Sequence, residues 1–106
     1  MASIHCYISG RVQGVWFRGW TQKTARAMGV IGWVRNLPDG RVECMARADG
    51  KTLQKFRAKL AKGPSFSRVD AVDCFEASEE SSAPDLAAPE LAAPELAGLD
   101  DFLVIR

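Results

Sequence analysis

A Pro38-Asp39-Gly40 segment near the middle of the chain restricts the possible folds more than any other feature. Proline presets the backbone for a turn, and an Asp-Gly pair is a strong signal for a hairpin. The residues on both sides suit strands, so we predict one strand over 31–37 and a second, paired strand over 41–48. The fold must therefore contain an antiparallel hairpin.

Alternation along the second strand of this hairpin indicates which side faces the core. Small and apolar side chains alternate with mostly charged ones, as in a half-buried strand. We expect a core side and an exposed side, which consist of Val42, Cys44, Ala46 and Ala48 and of Arg41, Glu43, Met45 and Arg47, respectively.

Further strands are predicted on both sides of the hairpin. Residues 4–9 alternate between apolar and polar side chains, and 69–77 and 102–105 also have strand-like composition. Together with the hairpin they make five strands, of which the last is short.

Two segments have the apolar spacing of helices. The first ends at Gly29, and Thr21 is its candidate N-cap, although Trp16, Phe17 and Trp20 could already belong to its first turn. The second covers 52–62 and is ended by a Gly-Pro pair. The resulting order β-α-β-β-α-β, with a short added strand, is typical of an α+β ferredoxin-like sandwich, in which an antiparallel sheet carries both helices on one face.

The length of 106 residues suits one domain, and we predict a single domain over 1–106. A low-complexity segment of Ala, Pro, Glu and Leu at 83–99 interrupts it before the last strand. Prolines at positions 84, 89 and 94 exclude a regular helix there. We expect a solvated insertion, and docking of its leucines on the domain or on a partner is the alternative.

The composition is that of an ordinary globular protein, with 47% apolar and 25% charged residues. No apolar run approaches the roughly 18 residues that cross a bilayer, and the N-terminus lacks the layout of a signal peptide. We therefore expect a cytoplasmic protein. Cys6, Cys44 and Cys74 are widely spaced, which suits neither a disulfide framework nor paired zinc ligands, so we predict buried, reduced thiols.

Charge is distributed very unevenly along the chain. Residues 1–68 contain 13 Lys and Arg but three acidic residues, whereas residues 69–106 contain one Arg and ten acidic residues. The net charges of the two parts are +10 and −9. The basic part favours an anionic partner such as a phosphate compound or a nucleic acid, although solvated surface charge also explains it.

Several familiar catalytic sites are absent from the sequence. His5 is the one histidine, no serine lies in a glycine elbow, and no GxxxxGK[ST], GxGxxG or HExxH motif occurs. Hydrolytic triads and metal catalysis are therefore not favoured, and we expect His5 to be structural.

The remaining candidate site lies between the first strand and the first helix, in Gly10-Arg-Val-Gln-Gly-Val-Trp-Phe-Arg18. Backbone amides in such a loop can converge on an anion, and the N-terminus of the helix adds positive potential. Gly14 permits the close approach that a phosphate needs, and Arg18 can contact two phosphate oxygens at once.

This segment and a second one resemble the two signature stretches of the acylphosphatase family. The second stretch is Gly32-Trp-Val-Arg-Asn36-Leu-Pro-Asp-Gly40-Arg-Val-Glu43. The resemblance covers about residues 4–77 and the ending 101–106. It implies the ferredoxin-like sandwich and the hydrolysis of acyl phosphates to a carboxylate and inorganic phosphate, without a cofactor or a metal.

The resemblance also implies a role for each site residue. The phosphate-binding arginine of the family corresponds to Arg18, and its water-positioning asparagine corresponds to Asn36. The phosphate-binding amides correspond to those of Gln13, Gly14, Val15, Trp16, Phe17 and Arg18. A carboxylate is a good leaving group, so no general acid is needed and catalysis reduces to positioning and charge stabilisation.

The partners implied are a small-molecule acyl phosphate and inorganic phosphate, which is both product and inhibitor. Neither a nucleic acid nor a membrane is expected, and the protein is expected to be a monomer.

The aromatic residues have a simpler interpretation as apolar packing around the loop and the first helix. They are Trp16, Phe17, Trp20 and Trp33. Trp16 or Trp20 at the rim of the loop could also touch an acyl group. Gly19 beside Arg18 weakens the start of the helix.

Two alternatives to the enzyme come from other classes. An RNA-binding module has the same strand order and a basic surface, but it needs aromatic side chains on its central strands, where Tyr7 is the one candidate. A non-catalytic phosphate-binding domain is the second alternative.

Overall fold

The computed structural model describes residues 2–77 and 101–105. These residues form five strands and two helices in the predicted order. They are β1 (Ala2–Arg11), α1 (Phe17–Met28), β2 (Ile31–Asn36), β3 (Val42–Ala48), α2 (Gly50–Lys62), β4 (Arg68–Ala77) and β5 (Phe102–Ile105).

The five strands form one sheet in the order β4-β1-β3-β2-β5. Neighbouring strands are antiparallel except β2 and β5, which are parallel, so the short last strand makes the sheet mixed. The register brings Ile8 and Asn36 to either side of Val42. The end of β1, the end of β2 and the start of β3 therefore meet at one end of the sheet.

Both helices pack on the same face of this sheet, as predicted. Phe17 and Ala25 of α1 and Leu53, Phe56 and Leu60 of α2 are buried in one apolar cluster with the inward side chains of the strands. Burial of such apolar side chains is the main favourable contribution to folding. The ferredoxin-like sandwich is confirmed.

The predicted core side of β3 is confirmed, but the prediction for its other side is wrong in part. Val42, Cys44, Ala46 and Ala48 belong to the helix-side core. On the opposite face, Glu43 and Met45 are also buried. The sequence pattern cannot reveal this, because a charged residue predicts a solvated face unless its partners are known.

Trp33 is another correction. It was expected near the loop and the first helix, but it lies on the helix-free face of the sheet, paired with Met45 across β2 and β3. The Arg35 guanidinium lies 5.2 Å from the centre of its indole ring, and His5 contacts the edge of the same ring system. Trp33 is fully buried among these side chains on the helix-free face.

Helix α1 begins earlier than a cap at Thr21 would require. The N-cap is Trp16, and Thr21 is buried inside the helix, where its Oγ1 donates a 2.8 Å hydrogen bond to the Phe17 carbonyl. Gly29 ends the helix in a left-handed conformation, as predicted. Helix α2 also begins earlier, because the Asp49 side chain accepts a hydrogen bond from the Thr52 amide.

The prediction of three reduced thiols is wrong for two cysteines. Cys6 and Cys74 lie opposite each other in the β1–β4 register and form a disulfide. They are 68 residues apart, so sequence spacing alone could not pair them. Cys44 is free and buried, and burial raises the pKa of its thiol.

The insertion predicted at 83–99 lies outside the described residues, and the single domain over 1–106 stays a prediction. Neither of the two described helices is both long and apolar enough to cross a membrane.

Candidate functional site

The candidate loop and Asn36 lie at the same end of the sheet. The loop follows β1 and leads into α1, and Asn36 is the last residue of β2. The Arg18 Nη1 donates a 3.3 Å hydrogen bond to the carbonyl of Ile105, whose register partner across β2 and β5 is Arg35. The structure therefore brings the loop and Arg18 toward the strand end that carries Asn36.

The backbone of the loop alternates between positive and negative φ. Gly14 has φ 75° and Trp16 has φ 65°, while Val15 between them and the helix after them have negative φ. Such alternation turns successive amides toward one side and forms a concave anion site. In the described part of the chain, no group accepts a hydrogen bond from the amides of residues 14–18.

No side chain of α1 itself compensates the positive charge and the unpaired amides at the start of this helix. Its N-cap residue makes no side-chain capping hydrogen bond, and no acidic residue lies in its first turn. A helix N-terminus carries unpaired amides and partial positive charge, so it stabilises a bound anion. Arg18 in this first turn adds a full positive charge.

Asn36 has one unusual feature for a residue at the end of a central strand. Its Oδ1 is buried and has no hydrogen-bond partner among the described residues. A buried polar atom without a partner costs free energy, so a hydrogen bond donated to it by a ligand or a water molecule would be favourable. Asn36 can accept a hydrogen bond from a water molecule at this position.

The side chain of Gln13 has a role that the sequence did not reveal. Its Nε2 donates hydrogen bonds to the carbonyls of Leu37 at 2.8 Å and Arg41 at 2.9 Å. These two carbonyls belong to the hairpin turn directly after Asn36. Gln13 was predicted for its backbone amide alone, and no local pattern could indicate a contact over 24 residues.

The remaining predicted loop residues divide into buried and accessible ones. The Phe17 side chain is buried in the core and packs on Trp20, with ring centres 5.5 Å apart. Trp16 is 62% exposed, so packing against the helix covers only part of this residue. Its indole lies against Gly19, because a Cβ at Gly19 would come within 2.3 Å of the indole Nε1.

His5 lies away from this site, on the helix-free face of the sheet. Its Nε2 is 2.6 Å from Glu43 Oε2, and Arg35 Nε donates a 2.6 Å hydrogen bond to Glu43 Oε1. We call these three residues the carboxylate network. Burial by itself would raise the pKa of Glu43, but the hydrogen bonds and charges of His5 and Arg35 outweigh it, and the pKa is lowered.

The sequence matches the model of the acylphosphatase family over residues 4–85. This chain belongs to the acylphosphatase family. The match includes the loop after β1 and the hairpin that carries Asn36, which are the two stretches on which the resemblance was based.

Individual acylphosphatases are similar over most of their length. The acylphosphatase of Methylococcus capsulatus is 43% identical over 76 residues, which are 72% of this chain and 83% of that protein. The acylphosphatase of a Roseiflexus species is 52% identical over 73 residues, which are 69% of this chain and 78% of that protein.

Solved acylphosphatase structures have the same fold. The crystal structure of the Bacillus subtilis acylphosphatase has a TM-score of 0.80 and 30% identity, and the match covers 100% of both chains. The structure of an acylphosphatase from Coxiella burnetii has a TM-score of 0.76 and 29% identity over 98% of this chain and 92% of that one.

Proposed function

We propose that this acylphosphatase hydrolyses acyl phosphates to a carboxylate and inorganic phosphate at the loop of residues 13–18. One observation carries the proposal: the amides of residues 14–18 have no acceptor in the described part of the chain and lie in an alternating backbone at the start of α1. Such a loop binds a phosphate group through its backbone.

Arg18 completes the phosphate site. Its guanidinium is partly buried and donates one hydrogen bond within the described ranges, to the Ile105 carbonyl. A guanidinium carries five N–H donors, so most remain available for phosphate oxygens. Arg18 and the loop amides stabilise the charge on the equatorial oxygens while the phosphoryl group is transferred.

Asn36 orients the attacking water through its buried Oδ1. The water oxygen forms a bond to phosphorus, and the bond between phosphorus and the acyl oxygen breaks. The electron pair of that bond leaves with the carboxylate, and the proton of the water moves to a phosphate oxygen. No side chain needs to donate or accept a proton, because the carboxylate is a stable leaving group.

The substrate is a small acyl phosphate, and inorganic phosphate acts as product and as competitive inhibitor. We further propose that the protein is a cytoplasmic monomer. A measurement of its molecular mass in solution would test the monomeric state.

The RNA-binding alternative is not favoured by the helix-free face. Tyr7 would be the stacking platform there, but the Arg41 guanidinium already lies over its ring, 4.7 Å from the centre. Stacking of a base on Tyr7 would have to displace this cation.

Two substitutions test the division of roles. Arg18→Gln should lower turnover of benzoyl phosphate by at least about 10²–10³-fold and abolish competitive inhibition by phosphate. Asn36→Ala should lower kcat to a similar extent but leave the inhibition constant of phosphate within about twofold.

Arg26→Gln is the matched control for Arg18, because Arg26 is an exposed arginine of the same helix that pairs with Asp101. It should leave turnover and phosphate inhibition unchanged. Equal weakening of phosphate binding by Arg18→Gln and Asn36→Ala would contradict the assignment of separate roles.

A further inference from the structure

Trp16 is the one residue other than glycine with a positive φ in the described ranges, at 65°. A bulky aromatic side chain is unfavourable in this conformation, where glycine and asparagine are preferred. Residues in such conformations concentrate at functional sites, because the surrounding structure must hold them there. Binding phosphate through the backbone explains the conformation of Trp16 but not its indole side chain.

The indole also remains in contact with solvent. Trp16 is 62% exposed, and the other large, exposed apolar side chains described are Phe66 and Phe75, at 81% and 58%. Phe66 follows α2 and Phe75 lies on the edge strand β4, so neither belongs to the loop. Trp16 alone places an exposed aromatic ring next to the phosphate site.

Gly19 leaves room for this ring against the first turn of α1. A Cβ at position 19 would lie 2.3 Å from Nε1, 2.8 Å from Cδ1 and 3.0 Å from Cε2 of the indole. Glycine weakens a helix interior, so its presence one turn after Trp16 has a cost in helix stability. The ring gains a defined position on the helix, while much of its surface remains exposed.

The chemistry of the reaction leaves the acyl group without a partner. The loop amides and Arg18 contact phosphate oxygens, and Asn36 contacts the water. In-line attack requires the acyl group to leave on the side of the phosphorus opposite the water. Asn36 lies on the hairpin, whereas Trp16 lies on the loop and the helix start.

We infer that the Trp16 indole is the binding surface for the acyl group, and that this acylphosphatase prefers aromatic acyl phosphates to short aliphatic ones. This inference rests on the proposed function. An aromatic acyl group can stack on the indole or meet it edge to face, whereas an acetyl group has little surface to bury.

The test compares benzoyl phosphate with acetyl phosphate as substrates. The selectivity is the kcat/KM for benzoyl phosphate divided by that for acetyl phosphate. Trp16→Asn should lower this ratio about three- to tenfold, the range expected for loss of one aromatic contact. Asparagine tolerates the left-handed conformation, so this variant removes the ring while preserving the shape of the loop.

Two further variants separate the ring from the loop. Trp16→Phe should keep most of the selectivity, because it retains an aromatic face. Gly19→Ala should lower the selectivity with Trp16 still present, since the new Cβ displaces the indole. Alanine favours the helix, so unfolding would not explain this loss.

Phe66→Ala is the control for an exposed aromatic residue away from the loop, and it should leave the ratio within about twofold of wild type. An unchanged ratio in both Trp16→Asn and Gly19→Ala would overturn the inference, as would an equal change in Phe66→Ala. Failure of the wild-type protein to hydrolyse either compound would instead overturn the proposed function.

Discussion

Arg35 and Asn36 are consecutive residues of β2, but their side chains belong to opposite faces of the sheet and to different kinds of site. Arg35 is buried on the helix-free face and pairs with Glu43 at 2.6 Å. Asn36 points toward the helix side, and its buried Oδ1 has no partner in the described residues. The Arg35 Nε is satisfied by a buried carboxylate, although its Nη2 also has no described partner, whereas the Asn36 Oδ1 is the atom that we propose for contact with the attacking water.

The same contrast separates two arginines. Arg35 is 5% exposed and held by a carboxylate, so it cannot serve an incoming phosphate without losing Glu43. Among the described residues, Arg18 donates one hydrogen bond, at 3.3 Å to the Ile105 carbonyl, and the neighbouring amides have no acceptor. Charge and residue type are identical and the local partners differ, so Arg18 is the arginine that we propose for phosphate binding.

The largest effect on stability is expected from a substitution that breaks the carboxylate network. Glu43→Gln should lower the free energy of unfolding by about 3–5 kcal/mol, because it leaves Arg35 buried without its counter-charge. Urea unfolding at pH 7 measures this. The remaining folded molecules should keep the wild-type kcat within about twofold.

Asp101→Asn is the control for this substitution, because Asp101 pairs with Arg26 at an exposed site. It should change the unfolding midpoint little. A similar small effect of Glu43→Gln would show that the two faces do not differ as described.

A smaller effect is expected where the loop is tied to the hairpin. Gln13→Ala removes two hydrogen bonds and should lower the free energy of unfolding by about 1–2 kcal/mol. It should also lower kcat about tenfold with little change in phosphate inhibition, because Asn36 loses its alignment with the loop.

Gln22→Ala provides the comparison, since Gln22 donates a hydrogen bond to the Phe102 carbonyl. Phe102 pairs with Gly32, at the opposite end of β2 from Asn36. It should affect stability alone. If both variants lower kcat equally, Gln13 has no special positioning role.

The pH dependence of stability should report the carboxylate network. The pKa of Glu43 is lower in the folded protein than its ordinary value of 4.5, so the folded state binds fewer protons. The resulting stability is fully present above pH 4.5 and is lost as the pH falls through the lower folded value.

Wild-type protein should therefore lose more stability than Glu43→Gln between pH 6 and the acid limit. Urea midpoints at a series of pH values measure the difference. Parallel curves for the two proteins would contradict a lowered pKa.

The smallest expected effect is on the pH dependence of turnover. A guanidinium stays charged and an amide does not titrate, so kcat should be constant from about pH 5 to 8 after correction for spontaneous hydrolysis. A step near neutral pH that disappears in His5→Gln would assign the chemistry to the helix-free face instead.

Much of the fold follows from local chemistry in the sequence. The Pro38-Asp39-Gly40 turn, the closing Gly29 and the core side of β3 depend on a few residues each, and these predictions were confirmed. The predicted exposed side of β3 was wrong for Glu43 and Met45. The start of α1 was harder, because Thr21 is a good cap by type but lies inside the helix. Its hydroxyl satisfies the Phe17 carbonyl instead of an amide.

The sequence predicted those residues of the candidate site that belong to a motif of recognisable residue types and spacing. Arg18 and Asn36 were identified by resemblance, and their chemistry suits a phosphate and a water. The roles of Gln13 and Gly19 were not accessible, because a side chain that reaches another element leaves no periodic signal. The exposure of Trp16 likewise depends on how the loop turns.

The order of the elements and the hairpin could be predicted because they depend on interactions between near neighbours in the chain, and the resemblance of two stretches to the acylphosphatase family added the candidate site residues. The pairing of Cys6 with Cys74 and the burial of Glu43 between His5 and Arg35 could be seen only in the folded protein. Such contacts depend on the strand order β4-β1-β3-β2-β5, in which distant segments become neighbours, so the environment of a side chain is set by residues that its local sequence does not contain.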